Sequence, residues 1–167
     1  MIHPTCTEVL ATVQTAFDEQ VVPHLADSEA RSAAATIGHL LRHVALRIEQ
    51  EGQILSDDIA RLEALLGRIA DWFDETRAAD AQPLRAALVP ALPAGRYPSL
   101  TLIGERALAL RAALVAAQER LQEAAAGHGS EAGYTDLRAG IRDYIAAQLA
   151  DEARLIAPAF QGRGPRR

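Results

Sequence analysis

The sequence predicts an all-α protein, an antiparallel bundle of four to five helices with a proline-rich crossover connection. Apolar residues recur every three to four positions over most of the 167 residues, and no stretch alternates apolar and polar side chains as a strand does. Because aromatic residues make up only 4%, the core is expected to consist of leucine, isoleucine, valine and alanine. We expect one domain over residues 1–160 and a flexible arginine-rich tail over residues 161–167.

The first helix is predicted from its cap and its apolar repeat. Thr5 and Glu8 have the spacing of a capping box, in which each residue satisfies a backbone N–H of the other. Apolar side chains then recur at every fourth position from Val9 to Val21. Pro23 is expected to end this helix.

The second predicted helix carries two distinct faces. Asp27 or Ser28 is expected to cap it, and Gly52 is expected to end it. Its apolar stripe, which we expect to face the core, consists of Ile37, Leu40, Leu41, Val44 and Ile48. A polar row lies on another face, where we expect it to stay outside the core and to bind a protein partner: His39, Arg42, His43 and Arg47.

The middle of the chain contains a third helix followed by the crossover. Ser56 is expected to start the helix, with Asp57 and Asp58 solvated at its N-terminus, where the helix dipole favours negative charge. Four prolines between residues 80 and 99 are incompatible with one long helix. This segment is predicted to be the crossover connection between two helical hairpins, with a short helical turn over residues 84–89.

Two further helices complete the predicted bundle. Ser99 is expected to cap the fourth helix, which carries an apolar stripe of its own. Thr135 or Asp136 is expected to begin the fifth helix, and Pro158 is expected to stop it.

Charge and cysteine content exclude several classes of partner. The net charge of −5 argues against nucleic acid or an anionic membrane as the partner. Cys6 is the only cysteine, so an intramolecular disulfide and a cysteine zinc site are both excluded. The sequence shows no leader peptide and no apolar stretch of about 18 residues, from which we expect a cytoplasmic protein.

All 17 basic residues are arginine, and those of the second and last helices are candidates for an anion-binding surface. Ordinary pairing with nearby carboxylates is the simpler expectation. The expected pairs are Arg47 with Glu51, Arg138 with Asp136 and Arg154 with Asp151.

A metal site is an alternative function for the histidines of the second helix. His39 and His43 are one turn apart, which allows two imidazoles to bind one metal ion if a carboxylate from another helix completes the site. The chain contains neither a His-Glu-x-x-His nor a Glu-x-x-His motif. We therefore predict no metal and no cofactor, with the two-histidine site as the open alternative.

No motif for catalysis is present. The chain has no Gly-x-Ser-x-Gly, no Walker loop and no Gly-x-Gly-x-x-Gly after a strand, so we predict no catalytic residues. An enzyme would need a deep pocket with convergent polar groups between the second and last helices. Self-association also stays open, because two copies can share an alanine-rich apolar face.

The N-terminal third resembles a family of small all-helical bacterial proteins of unknown function. The residues that carry this resemblance are Pro4-Thr5, Glu8-Val9-Leu10, Val13, Phe17, Val22-Pro23-His24-Leu25 and the helix up to Glu51. Members are encoded beside aminoglycoside-phosphotransferase-like kinases and acyl-CoA dehydrogenases. The resemblance implies a non-catalytic accessory subunit that binds such a kinase in acyl-CoA metabolism, and it implies no site residues.

Overall fold

The computed structural model describes residues 3–89 and 97–160, with side chains up to residue 157. All regular structure in these ranges is helical, which confirms the all-α prediction. A π-helical segment, Phe17–Val21, and a 3-10 turn, Val22–His24, follow the first helix. The α-helices are α1 Cys6–Ala16, α2 Ser28–Thr76, α3 Ala78–Leu88, α4 Leu100–His128 and α5 Ala132–Phe160.

Three predicted helix caps are confirmed. The N–H of Glu8 donates to Oγ1 of Thr5 at 3.2 Å, and the N–H of Thr5 donates to Oε2 of Glu8 at 2.7 Å, which completes the capping box of α1. Asp27 caps α2, since its Oδ2 accepts a hydrogen bond from the N–H of Ala30 at 2.8 Å. The hydroxyl of Ser99 caps α4.

The predicted break between the second and third helices is wrong, because α2 runs without interruption from residue 28 to residue 76. Gly52 lacks a following proline, and one glycine inside a helix costs only about 1 kcal/mol relative to alanine. A side-chain hydrogen bond spans the expected break, from Nε2 of Gln53 to Oδ1 of Asp57 at 2.7 Å. Ser56 is therefore an interior helix residue and not a start.

The crossover contains more helix than predicted. The expected turn over residues 84–89 is a full helix, α3, which begins at Ala78 and includes Pro83 in its second turn. Pro83 is the sixth residue of α3, so its missing N–H removes one intrahelical hydrogen bond, and the helix continues past it for five residues. Residues 90–96 of the predicted crossover lie outside the described residues.

The last helix is longer than predicted at both ends. It begins at Ala132, three residues before the expected start at Thr135, and continues past Pro158 to Phe160. The hydroxyl of Thr135 donates to the carbonyl of Glu131 at 3.0 Å, so Thr135 lies inside the helix. The predicted tail over residues 161–167 lies outside the described residues.

The chain separates into two compact units. Unit 1 comprises Met1–Gly52 and Asp151–Arg167, and unit 2 comprises Gln53–Ala150. The prediction of a single domain over residues 1–160 stays a prediction.

Unit 2 contains a continuous core. Its central side chains come from the C-terminal half of α2 and from α4, and seven of them are completely shielded from solvent: Leu62, Leu66, Ile69, Ala70, Phe73, Leu110 and Leu121. Leu84 of α3 joins the core, and α5 adds Leu137 and Ile141. The expected aliphatic interior is therefore present in this unit.

Unit 1 is built differently. Among its described residues, only Ala34 and Gly38 are buried, and both are small residues of α2. The α1 helix contains no buried residue. Unit 1 therefore lacks large buried side chains within the described part of the chain.

Candidate protein-binding surface

The apolar stripe of α2 faces solvent. The side chains of this stripe are 44 to 54% exposed at four positions, Ile37, Leu40, Val44 and Ile48. The prediction that the stripe packs in the core is therefore wrong at these positions, and Leu41 is half-buried. The buried residues Ala34 and Gly38 lie on a neighbouring face of the helix, so it is the small-residue face that packs within the unit.

The polar row of α2 lies between the buried and exposed faces. His39, Arg42 and His43 are half-buried, whereas Arg47 is exposed. Nη2 of Arg42 donates to Nδ1 of His39 at 2.8 Å. Nδ1 of His43 donates to the carbonyl of Leu155 on α5 at 3.2 Å, which ties two segments of unit 1 together. These three side chains therefore make contacts within the unit, and their assignment to partner binding stays a prediction.

An ion pair borders the exposed stripe. Nε of Arg47 donates to Oε2 of Glu51 at 2.9 Å, and a second bond joins Nη2 of Arg47 to the other carboxylate oxygen. The hydrogen bonds from Arg47 lower the pKa of Glu51 below its ordinary value. Glu51 lies one turn beyond Ile48, so a charged rim adjoins the apolar surface. This pair confirms the sequence prediction.

The other predicted arginine pairs have different outcomes. Nη1 of Arg154 donates to Oδ1 of Asp151 at 3.2 Å, as expected. Within the described residues Arg138 forms no ion pair, so its expected pairing with Asp136 is wrong. Residues two apart point to different sides of a helix and do not meet, whereas residues three or four apart do.

The histidine pair of α2 shows no metal-binding geometry. The guanidinium of Arg42 has only donors, so Nδ1 of His39 accepts and the proton of this imidazole lies on Nε2. His39 then lacks a free lone pair for a metal ion in this arrangement. Nowhere in residues 3–89 and 97–160 do three histidine, cysteine or acidic side chains form a cluster that could hold a metal ion.

Unit 2 contains a buried ion pair that the sequence analysis missed. Asp58 is buried, and its Oδ2 accepts from Nη2 of Arg111 at 2.8 Å and from Nε at 3.1 Å. The prediction that Asp58 is a solvated helix end is therefore wrong. Burial and the neighbouring charge of Asp58 raise the pKa of Tyr144 to about 12. A sequence signal was present, because Asp58 lies four and eight residues before the core leucines 62 and 66.

A buried arginine, Arg106, joins three helices of unit 2. Nη2 of Arg106 donates to Oε1 of Glu63 on α2 at 2.8 Å, and Nη1 donates to the carbonyl of Ala87 on α3 at 2.7 Å. Arg106 lies three residues after Ile103 and four before Leu110, so it occupies a core position of the α4 stripe. The bond to Ala87 satisfies a carbonyl oxygen at the C-terminal end of α3. Both bonds therefore have a structural role.

A groove of about 400 Å³ lies between α2 and α5 within unit 2. It is lined by Arg61, Ala64, Leu65, Arg68, Gly140, Asp143, Tyr144 and Ala147. None of these residues is a serine, cysteine or histidine, and the phenol of Tyr144 is held protonated by its raised pKa. The ionisable side chains of this lining are Arg61, Arg68, Asp143 and Tyr144.

No protein-family model matches the chain, and no match is found among curated proteins or solved structures. The resemblance of residues 4–51 to the small helical bacterial family therefore stays a prediction. Within the described helices, none reaches the combination of length and apolar character that crossing a bilayer requires.

Proposed function

We propose that this protein is a non-catalytic interaction protein that binds a protein partner through the exposed stripe of α2. The observation that carries the proposal is the solvent exposure of Ile37, Leu40, Val44 and Ile48 along one face of a long helix. These residues span about 16 Å of helix, given a rise of about 1.5 Å per residue. An amphipathic helix presenting anchors at this spacing is a recurrent mode of protein recognition.

Covering this stripe with a partner makes a favourable contribution to the free energy of binding. Full burial of one aliphatic side chain contributes about 1.5–3 kcal/mol, and these four side chains are about half exposed. Covering the remaining surface contributes on the order of 3–6 kcal/mol in total. That amount is a substantial part of the free energy of a micromolar complex, which is about 8 kcal/mol.

The charges of unit 1 define the chemistry of the partner. Its described residues include nine acidic side chains and four arginines. Glu51 lies beside the stripe, and Glu49 follows it on the same helix. An acidic surface is repelled by nucleic acid and by anionic lipid, which favours a protein partner with an apolar groove and a basic rim.

The resemblance of residues 4–51 supplies the class of partner. It supports an accessory subunit of a phosphotransferase-like kinase in acyl-CoA metabolism, acting in the cytoplasm. In this proposal His43 ties α2 to the last helix through its bond to Leu155, while Glu51, paired with Arg47, faces the basic rim of the kinase surface.

Co-expression with a phosphotransferase-like kinase from the same organism tests the proposal. We expect a complex that elutes as one peak on size-exclusion chromatography, and we expect the double variant Leu40→Ser/Val44→Ser to weaken it at least about tenfold, since two apolar anchors are lost.

The matched control is Leu102→Ser/Leu108→Ser, which removes two exposed leucines of α4 in unit 2. This control should bind the kinase as the unmodified protein does. Separate elution of the two unmodified proteins, or equal weakening by both double variants, would contradict the proposal.

A further inference from the structure

A groove of about 370 Å³ lies between α4 and α5, wholly within unit 2. It is lined by Val115, Gln118, Glu119, Gln122, Arg138, Ile141, Arg142 and Ile145. Its size is at the lower end of the range typical of small-molecule sites. Because these residues lie outside the α2 stripe, the groove is independent of the proposed partner-binding function.

The polar residues of the groove lie toward one end. The helices α4 and α5 are joined by the short connection over residues 129–131, so they form an antiparallel hairpin. Positions at equal distance from the connection lie opposite each other, which places Gln122 opposite Arg138 and Gln118 opposite Arg142. The guanidinium and amide groups of these four side chains supply several donors to one small volume.

The two arginines are available to a ligand. Neither Arg138 nor Arg142 forms an ion pair with another described residue, although every other arginine of α4 and α5 with described side chains does. They are one helical turn apart and outnumber the single carboxylate of the groove, Glu119. This end of the groove is therefore electropositive in an otherwise acidic protein.

The other end of the groove is aliphatic. Val115 lies opposite Ile145, the position farthest from the connection, and both side chains are about half exposed. Ile141, which lies opposite Glu119 and between the two arginines, is buried and extends the aliphatic lining toward the polar end. The lining thus changes along the helices from paired guanidinium and amide donors to branched hydrocarbon.

We propose that this groove binds a small anionic amphiphile, with a carboxylate or phosphate headgroup on Arg138 and Arg142. The aliphatic chain lies along Val115, Ile141 and Ile145. Guanidinium groups form paired, charge-assisted hydrogen bonds with both headgroups, so the two share one recognition chemistry. The aliphatic end requires a ligand that also carries a hydrocarbon chain.

Titration calorimetry of the full chain with decanoate and with decyl phosphate tests this site. We expect one ligand per chain, and the tighter of the two compounds identifies the headgroup that the site prefers. In the variant Arg138→Gln/Arg142→Gln the affinity should fall at least about tenfold, because two charged donors are lost. Val115→Asp should also weaken binding, because it places a carboxylate at the hydrocarbon end.

The control variant is Arg31→Gln/Arg68→Gln, which removes two exposed arginines outside this groove and should leave the affinity within about twofold. Decyltrimethylammonium, which has the same chain and the opposite charge, should not bind. The proposal is overturned if neither anion binds, if the Arg138/Arg142 variant binds as tightly as the control, or if inorganic phosphate alone matches decyl phosphate.

Discussion

The two units of this chain use similar sequence patterns with opposite results. In unit 2 the apolar stripes of α2 and α4 meet each other and form a core that excludes solvent. In unit 1 an equally regular stripe on the same helix α2 faces outward, and only small residues are buried among the described ones. The difference shows that a regular apolar stripe specifies a surface to be covered, while the covering element is supplied by the rest of the chain or by a partner.

Truncation of one leucine in each unit should give the largest contrast. Leu66→Ala removes a completely buried side chain of unit 2 and should reduce the free energy of unfolding by about 2–5 kcal/mol. Leu40→Ala removes a side chain that is already half exposed, so the loss should be under about 1 kcal/mol. Urea denaturation of the free protein measures both values. Equal losses would mean that the stripe of unit 1 is covered in the free protein.

Removing one partner of a charged pair should also reduce the free energy of unfolding more in unit 2 than in unit 1. Asp58→Asn leaves Arg111 without its buried partner, which should lower the free energy of unfolding by about 2–3 kcal/mol. Glu51→Gln removes the partner of the more exposed Arg47 and should cost at most about 0.5 kcal/mol. Thermal unfolding of both variants checks this, and a larger effect from Glu51→Gln would contradict the contrast.

The free energy of unfolding should fall at alkaline pH because of one side chain of unit 2, Tyr144. The phenol of Tyr144 has a pKa of about 12 in the folded protein against 10 for an ordinary tyrosine. A raised pKa contributes stability that is complete below the unfolded value and is lost as the pH rises through the folded value. Between about pH 9 and about pH 11 the unmodified protein should therefore lose about 1 kcal/mol more than Tyr144→Phe.

The matched control for this titration is Tyr97→Phe, because Tyr97 is exposed and lies outside the core. The Tyr97 variant should keep the pH dependence of the unmodified protein. Unfolding free energies measured by urea at each pH decide the question, and a pH dependence that persists in Tyr144→Phe would contradict the assignment.

Local sequence signals predicted most of the secondary structure. The caps at Thr5, Asp27 and Ser99 follow from side chains that bond to backbone groups within three residues, so no distant contact is needed to find them. The absence of alternating patterns excluded strands for the same reason. The predicted helix end at Gly52 was wrong, because a glycine ends a helix only where it adopts the left-handed conformation of a C-terminal cap.

The surface and the buried polar groups were harder to predict, because they depend on which elements meet. The periodicity of α2 identified its apolar side correctly, but exposure depends on whether another helix covers that side, as at Ile37 and Leu40. Asp58 is buried since a specific arginine, Arg111 on α4, reaches it across the core. Such a contact joins residues far apart in the chain, so the apolar repeat could indicate that Asp58 is buried but could not identify its partner.

Hydrogen exchange of the protein alone and mixed with the proposed kinase partner tests the central claim most directly. We expect amides of residues 28–52 to gain protection in the mixture, because the partner covers the stripe, while amides of residues 100–128 in α4 stay unchanged. Unchanged exchange over residues 28–52, or protection confined to α4, would contradict the claim that the exposed stripe of α2 binds the partner.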